Sequence, residues 1–308
     1  MDSTTAGTPL TIALPSPPPS VAAWDRRQNV PDFVAQAVAH TGDGPSLPRQ
    51  SDHRRLAYLL RALPLDQVSS ITEIGARDGF FSLSLAHAFP RLTVTACEPD
   101  KARAGFIRGI SSAFHLSNVE VMSKLVTVRS LAALEHCDVA LLINALDHAG
   151  HSVDTAPPRT RAALTEYIAE YLAGLAAKRH YLFFRMGAEW AETSQLAASD
   201  IARARGSAHR RPEVDELRYL SSLLVNSGWT ICRVAYPTRV DGDVVYRDLP
   251  EMVTGALSDD PEGVFDEVLR AGLHGLDIVP CPGESSTSPI FTCASTRPQH
   301  RPAWPRVA

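Results

Sequence analysis

The sequence predicts an α/β protein built on a doubly wound, mostly parallel seven-stranded sheet with one antiparallel edge strand. Three observations carry this expectation. Short apolar runs alternate with amphipathic stretches from Asp52 onward, the way strands and their covering helices read along a chain. Two of those runs, Cys137–Asn144 and His180–Met186, are apolar almost throughout, as strands buried on both faces are. A late pair of runs with no long helix between them requires an antiparallel neighbour.

Taken in order, residues 1–50 carry Pro15, Pro17, Pro18, Pro19, Pro31, Pro45 and Pro48 among Ser, Thr, Gly and Ala, and read as a largely flexible arm. One short helix is expected at Asp32–His40, and Trp24, Phe33 and Val34 are the arm's candidates for docking onto the domain. The main domain is assigned to residues 51–296. It opens with a helix ending at Leu63, because Leu56, Leu59, Leu60 and Leu63 share a face and Pro64 stops it. A strand at 70–75, a helix at 79–89, a strand at Leu92–Cys97, a helix at Lys101–Phe114 and a strand at Val119–Met122 follow. Beyond the Cys137 strand come a helix at Arg161–Lys178, the His180 strand, a helix at Pro212–Ser227 ended by Gly228, and a strand at Trp229–Ala235. An insertion near 240–287 holds a short run at Val244–Arg247 and a helix at Pro261–Ala271, and Ser288–Ala294 supplies the last strand. Residues 297–308, with three prolines, read as a disordered tail.

With 308 residues and 44% hydrophobic composition, the chain fits one main domain. A net charge of −4 gives no global field for nucleic acid, so any such binding would need a local basic patch; DNA is not expected as a partner and RNA is disfavoured, while a small-molecule partner is expected, with a monomer or homodimer. Five scattered cysteines without a Cys-x-x-Cys pair read as reduced thiols, and the N-terminus has no basic, apolar leader. No apolar run is long enough to span a bilayer, so the expected location is cytoplasmic, off the membrane.

The chemistry concentrates in Ile71-Thr-Glu-Ile-Gly-Ala-Arg-Asp-Gly-Phe-Phe-Ser82 and in Thr95-Ala-Cys-Glu98-Pro-Asp100. A strand ends in an acid and two glycines, a helix follows, and a second strand ends in a carboxylate placed to accept hydrogen bonds from ribose hydroxyls. A nicotinamide site needs Gly-x-Gly-x-x-Gly around a pyrophosphate, whereas Gly75 and Gly79 are separated by three residues and flanked by Glu73 and Asp78. Those acids suit a cationic sulfonium. The cofactor expected is therefore S-adenosyl-L-methionine, held by Glu73, Gly75, Ala76, Asp78, Gly79, Glu98 and Asn144.

On these residues the chain resembles the class I S-adenosylmethionine-dependent methyltransferases, whose acid-x-Gly-x-x-x-Gly motif stands here as Glu73-Ile-Gly75-Ala-Arg-Asp-Gly79 and whose second acid matches Glu98. Glu73–Asp100 is similar to the FkbM-type O-methyltransferases, with an Ile-Gly-Ala turn, a Phe-Ser helix start and a Glu-Pro-Asp after the second strand. The resemblance implies a Rossmann-like methyltransferase fold and transfer of a methyl group to a small molecule, with the oxygen of a sugar or secondary metabolite preferred. The chain departs from the family pattern at Arg77, where glycine is common, at Ser123-Lys124, where an acid is common, and after the fourth strand.

Methyl transfer is an in-line displacement that mainly needs alignment, and a base helps only where the nucleophile is a poorly acidic hydroxyl. Candidates for that role are Asp147, His148 and His151, which follow the strand expected to face the cleft; the alternative is a helix cap or surface loop. Three potential ligands in one loop make an accidental cluster, and no metal is expected. Arg203, Arg205, His209, Arg210 and Arg211 form the basic cluster, read first as a solvated loop and otherwise as a grip on substrate phosphate or RNA. Trp190, Tyr181 and Phe184 are weighed as an aromatic acceptor pocket, with Tyr181 and Phe184 assigned to the core. The remaining alternative is a protein that keeps this fold and has lost turnover.

Overall fold

The computed structural model describes residues 30–39, 50–146, 161–186, 212–281 and 287–297. The strands are β1 (Ser70–Ile74), β2 (Thr93–Cys97), β3 (Val119–Met122), β4 (Cys137–Ile143), β5 (Arg179–Arg185), β6 (Trp229–Val240), β7 (Asp243–Asp248) and β8 (Ile290–Ser295). The helices are α1 (Asp32–Ala39), α2 (Gln50–Ala62), α3 (Phe80–Ala88), α4 (Lys101–Ala113), α5 (Val128–Leu131), α6 (Arg161–Ala176), α7 (Pro212–Asn226), α8 (Glu251–Asp259) and α9 (Asp266–Leu273).

The strands form one sheet in the order β3-β2-β1-β4-β5-β8-β6-β7. β1 to β5 are parallel, β8 runs antiparallel between β5 and β6, and β7 closes the edge antiparallel to β6. The doubly wound α/β class is as expected, and the sheet has eight strands because the run at Val244 is a full member of it. Alternation along β5 shows why both faces are covered. Tyr181 and Phe183 pack with Tyr58 and Leu59 of α2 and with Phe81 and Leu85 of α3. Leu182 and Phe184 point the other way, into a core shared with α6, α7, α8 and α9.

Several elements differ from expectation, among them the short α5 and a β6 that runs to Val240 instead of Ala235. α8 went unread because Thr254 and Gly255 interrupt its pattern, though Val253, Thr254 and Leu257 bury one face. α9 begins at Asp266, five residues after Pro261, since Arg218 draws the carbonyls of Pro261, Glu262 and Val264 into a loop against α7. Part of the arm is docked: Val30 and Val34 are fully buried, and Phe33 stacks on His87 at 4.1 Å. The remainder of the arm and of the tail lies outside the described residues.

β6 continues well past the sheet. Arg185 is level with Ile290, Ile290 with Ala235, and Ala235 with Asp248. Residues 236–247 therefore project beyond the C-terminal end of β5, an overhang of about 16 Å at ~3.3 Å per residue. Asp277 and Val279 extend this ledge by pairing with Arg239 and Pro237, at 2.9 and 3.1 Å.

Gly79 fixes how α3 meets α4. Its φ is +78°, and a Cβ there would lie 2.8 Å from Cγ1 of Ile107. Gly79→Ala is expected to lower unfolding free energy in urea by about 3 kcal/mol, from left-handed strain plus overpacking. A loss below about 1 kcal/mol would show that the helix pair yields freely.

Candidate functional site

The strand order reverses direction of winding between β1 and β4, and in open α/β sheets that switch point opens a crevice at the carboxyl ends of the strands. The loop 75–79 stands there. Its shape follows from hydrogen bonds at both ends. The Gly75 and Ala76 amides donate to the Cys97 carbonyl at 2.9 and 3.0 Å, the Gly79 amide donates to Ala76, and the turn passes through left-handed φ at Gly75, Arg77 and Gly79. Gly75 is exposed, and a Cβ on it would come 3.0 Å from that of Ala145, just past β4. The bare backbone at 75 thus lets two loops close to a narrow floor.

Arg77 takes φ +53°, a conformation that explains why glycine suits this position. Its side chain is exposed while its amide donates to Oε2 of Glu98 at 2.7 Å. The other Glu98 oxygen accepts from the Asp100 amide at 2.9 Å. Glu98 is thereby fixed at the end of β2, beside the loop. Each oxygen keeps a further lone pair for a hydroxyl. Burial raises its pKa, against the two amide bonds that lower it.

Glu73 is enclosed, at 4% exposure. Its Oε2 accepts from the Ser82 amide at 2.9 Å and from the Ser82 hydroxyl, so it anchors the first turn of α3. Burial pushes its carboxyl up to about 7, with Asp52 and Glu98 adding repulsion and the Ser82 bonds opposing. Ala76 and Asp78 are buried in the loop, and Gly79 faces Ile107.

Asn144 ends β4 with φ +54°, which asparagine tolerates. Its Oδ1 accepts from the Arg185 guanidinium at 2.6 Å, and its amide donates to the Arg185 carbonyl at 2.9 Å. Asp147, His148 and His151 lie outside the described residues, as do Trp190 and the Arg203–Arg211 cluster. Tyr181 and Phe184 are core. Ser123 accepts from Arg108 at 2.7 Å, and Lys124 is exposed.

Several polar residues around this crevice escaped the sequence reading. Asp52 and Arg55 of α2 form an ion pair at 2.5 Å, with Arg55 2% exposed. Arg185 is equally buried. Glu216 of α7 accepts from Ser288 at 2.8 Å, and burial raises its pKa. A signal was present for Arg55: positions 52, 55, 59 and 62 share one helical face, so a charge stands where the heptad expects core. Among the described residues no group of three or more His, Cys, Asp or Glu could hold a metal, and no helix is long and apolar enough to cross a membrane.

No family model matches the sequence, and no curated protein matches it either. Solved structures that it resembles include the N-terminal domain of EvdMO1 in the presence of SAH and D-fucose. That alignment has a TM-score of 0.40 and 14% identity, covering 79% of this chain and 82% of that one. Another is precorrin-6y C5,15-methyltransferase from Geobacter metallireducens GS-15, with a TM-score of 0.38, 11% identity, and coverage of 79% and 86%. A third is the bifunctional kinase-methyltransferase WbdD, with a TM-score of 0.34 and 20% identity over 44% of this chain; the match spans 27% of WbdD. These are loose likenesses.

The raised Glu73 pKa has a signed consequence. Between pH 4.5 and about 7 the folded state binds the proton more tightly than the unfolded chain, so this group's contribution is full below 4.5 and is lost as pH rises through 7. Glu73→Gln retains an acceptor for Ser82 without the charge. Its stability relative to wild type is expected to rise by on the order of 3 kcal/mol from acid to neutral pH, measured by urea unfolding. A pH-independent difference would mean that Glu73 titrates normally.

Proposed function

We propose that the protein is an S-adenosylmethionine-dependent methyltransferase acting on a small molecule, with O-methylation of a sugar or secondary metabolite preferred. The observation that carries this reading is Glu98: a carboxylate fixed at the end of β2 by the Arg77 and Asp100 amides, beside a glycine turn at the switch point of the sheet. In that position it is suited to a ribose diol. The enclosed acids Glu73 and Glu98 favour a cationic ligand over a pyrophosphate, because burial raises both carboxyls, Glu98 adds to the rise at Glu73, and a positive neighbour relieves both.

S-adenosylmethionine supplies, when bound, a methyl group activated on a sulfonium. The chain's residues have the other tasks. Glu98 holds the sugar, the exposed backbone at Gly75 admits the ligand closely, and Glu73 keeps α3 in register while contributing its field. Asn144, fixed by Arg185, lines the side where an acceptor enters. Asp147, His148 and His151 are the proposed proton-handling residues. A positioned base is worth about 10²–10⁴ in rate where the acceptor is an alcohol.

S-adenosylhomocysteine at about one hundred times its Kd is expected to stabilise the fold by about 2.7 kcal/mol, seen as a rise in melting temperature of several degrees. Glu98→Ala should weaken binding at least about tenfold, the worth of one charged hydrogen bond. A wild-type protein whose melting temperature ignores millimolar ligand would rule the reading out.

A further inference from the structure

We propose that α1 is a strap that completes the ligand site from behind: its docking holds the glycine loop in the shape that binds, and a ligand in the crevice in turn holds α1 down. Resting on the methyltransferase reading for its ligand, this gives the N-terminal arm a part in binding.

α1 is a helix because it is docked. Eight residues are too few to keep a helix in water alone, and the side chains of residues 30–34 show what supports it. Val30 and Val34 are fully buried, in one apolar cluster with Ala76 of the loop, Leu83 of α3, and Ile107 and Ile110 of α4. Phe33 lies between the last turn of α3 and the end of α4, stacked on His87 at 4.1 Å and edge-on to Phe114 at 4.9 Å. Oδ1 of Asp32 is 3.4 Å from Nε2 of His53 on α2, and that imidazole stands edge-on to Phe80 at 5.1 Å. One short helix is thus tied to α2, α3 and α4 together.

Two of these ties end at the loop. A Cβ on Gly79 would lie 2.8 Å from Cγ1 of Ile107 and 3.2 Å from Cδ1 of Leu83, and those two side chains pack in the cluster that holds the α1 valines. The left-handed turn at Gly79 therefore rests against a wall that α1 backs. Ala76 is part of the same wall, 3% exposed, and the residue after it is Arg77, whose amide donates to Glu98 at 2.7 Å. On the other side of Gly79, Phe80 opens α3 and meets the His53 ring that faces Asp32. With α1 lifted, the apolar surface behind Ala76, Leu83 and Ile107 meets water. A close-packed wall that loses two of its members relaxes toward the gap, and the turn that aims the Arg77 amide at Glu98 relaxes with it. The effect runs both ways, because a strap that favours the binding shape is itself favoured by the ligand.

Hydrogen exchange by mass spectrometry and calorimetric titration with S-adenosylhomocysteine, both on the full chain, read the two directions. Saturating ligand is expected to slow exchange at residues 34–39 of wild type by about tenfold. Val34→Asp puts a charge in the buried cluster and releases α1, and it should weaken the ligand by about the same tenfold, since linkage makes the two factors equal. Asp32→Asn combined with His87→Ala loosens the strap without touching the cluster and should weaken the ligand by about threefold. This second variant carries the test if Val34→Asp strips β4 and β5 of their protection. A released α1 with the ligand bound as tightly as by wild type overturns the proposal. So does a wild-type α1 that exchanges at one rate with and without bound ligand. A wild type that does not bind refutes the methyltransferase reading instead, and the strap is then judged without ligand. Releasing α1 should speed exchange at residues 76–83 by about tenfold and leave β4 and β5 as they were. Unchanged exchange at 76–83 sinks the strap on that route too.

Discussion

A carboxylate enclosed at the end of a central strand is the constraint from which this corner of the protein follows. Glu73 cannot remain buried and charged without donors, since an unpaired charge in that environment costs several kcal/mol. The start of α3 supplies them, through the amide and hydroxyl of Ser82. That fixes where α3 begins and leaves residues 75–79 to join it to β1. So short a connection must reverse sharply. It does so through left-handed residues at 75, 77 and 79, and the amides freed by the turn go to the Cys97 carbonyl and the Glu98 carboxylate. The second acid is thus held by the geometry that the first one imposes.

The same arrangement decides the sign of what the crevice accepts. Burial raises the Glu73 carboxyl, and the nearby carboxylates of Asp52 and Glu98 raise it further. Arg55 pairs with Asp52 at 2.5 Å and offsets its charge. On the proposed reading, the remaining negative charge opposes phosphate and favours a sulfonium or ammonium. A helix N-terminus usually attracts anions, but here the first turn of α3 is already occupied by the protein's own anion, Glu73.

The sheet was legible from sequence because parallel strands buried on both faces leave unbroken apolar runs, as at Cys137–Ile143 and Arg179–Arg185. The loop was legible because glycine and acid spacing records backbone constraints directly. Less visible was what depends on contacts distant in sequence. Glu73 reads as a ligand-facing acid and is found serving α3. Gly79 reads as a concession to a ligand and is found making room for Ile107. α9 starts late because Arg218, over forty residues earlier, claims the carbonyls before it. Arg55 and Arg185 are charges at core positions, and a sequence pattern registers such residues only as breaks in periodicity.

The hairpin is held to α2 partly through its backbone carbonyls. An edge strand offers a row of outward carbonyls, and β7 gives two of them to Arg54 and Arg61 of α2. β3 at the opposite edge gives its Val121 carbonyl to Arg108 at 2.9 Å. Bonds to carbonyls do not depend on the side chains of the strand. Val245 and Arg247, on the exposed side of β7, are therefore free of the joint that holds the hairpin in place. Tyr246 is not free, because its ring fills the core beneath α2 and its hydroxyl accepts from the Cys281 thiol at 3.8 Å. Alternation along a strand separates the two roles by a single residue, so the exposed face of the ledge can change while its attachment to α2 stays the same.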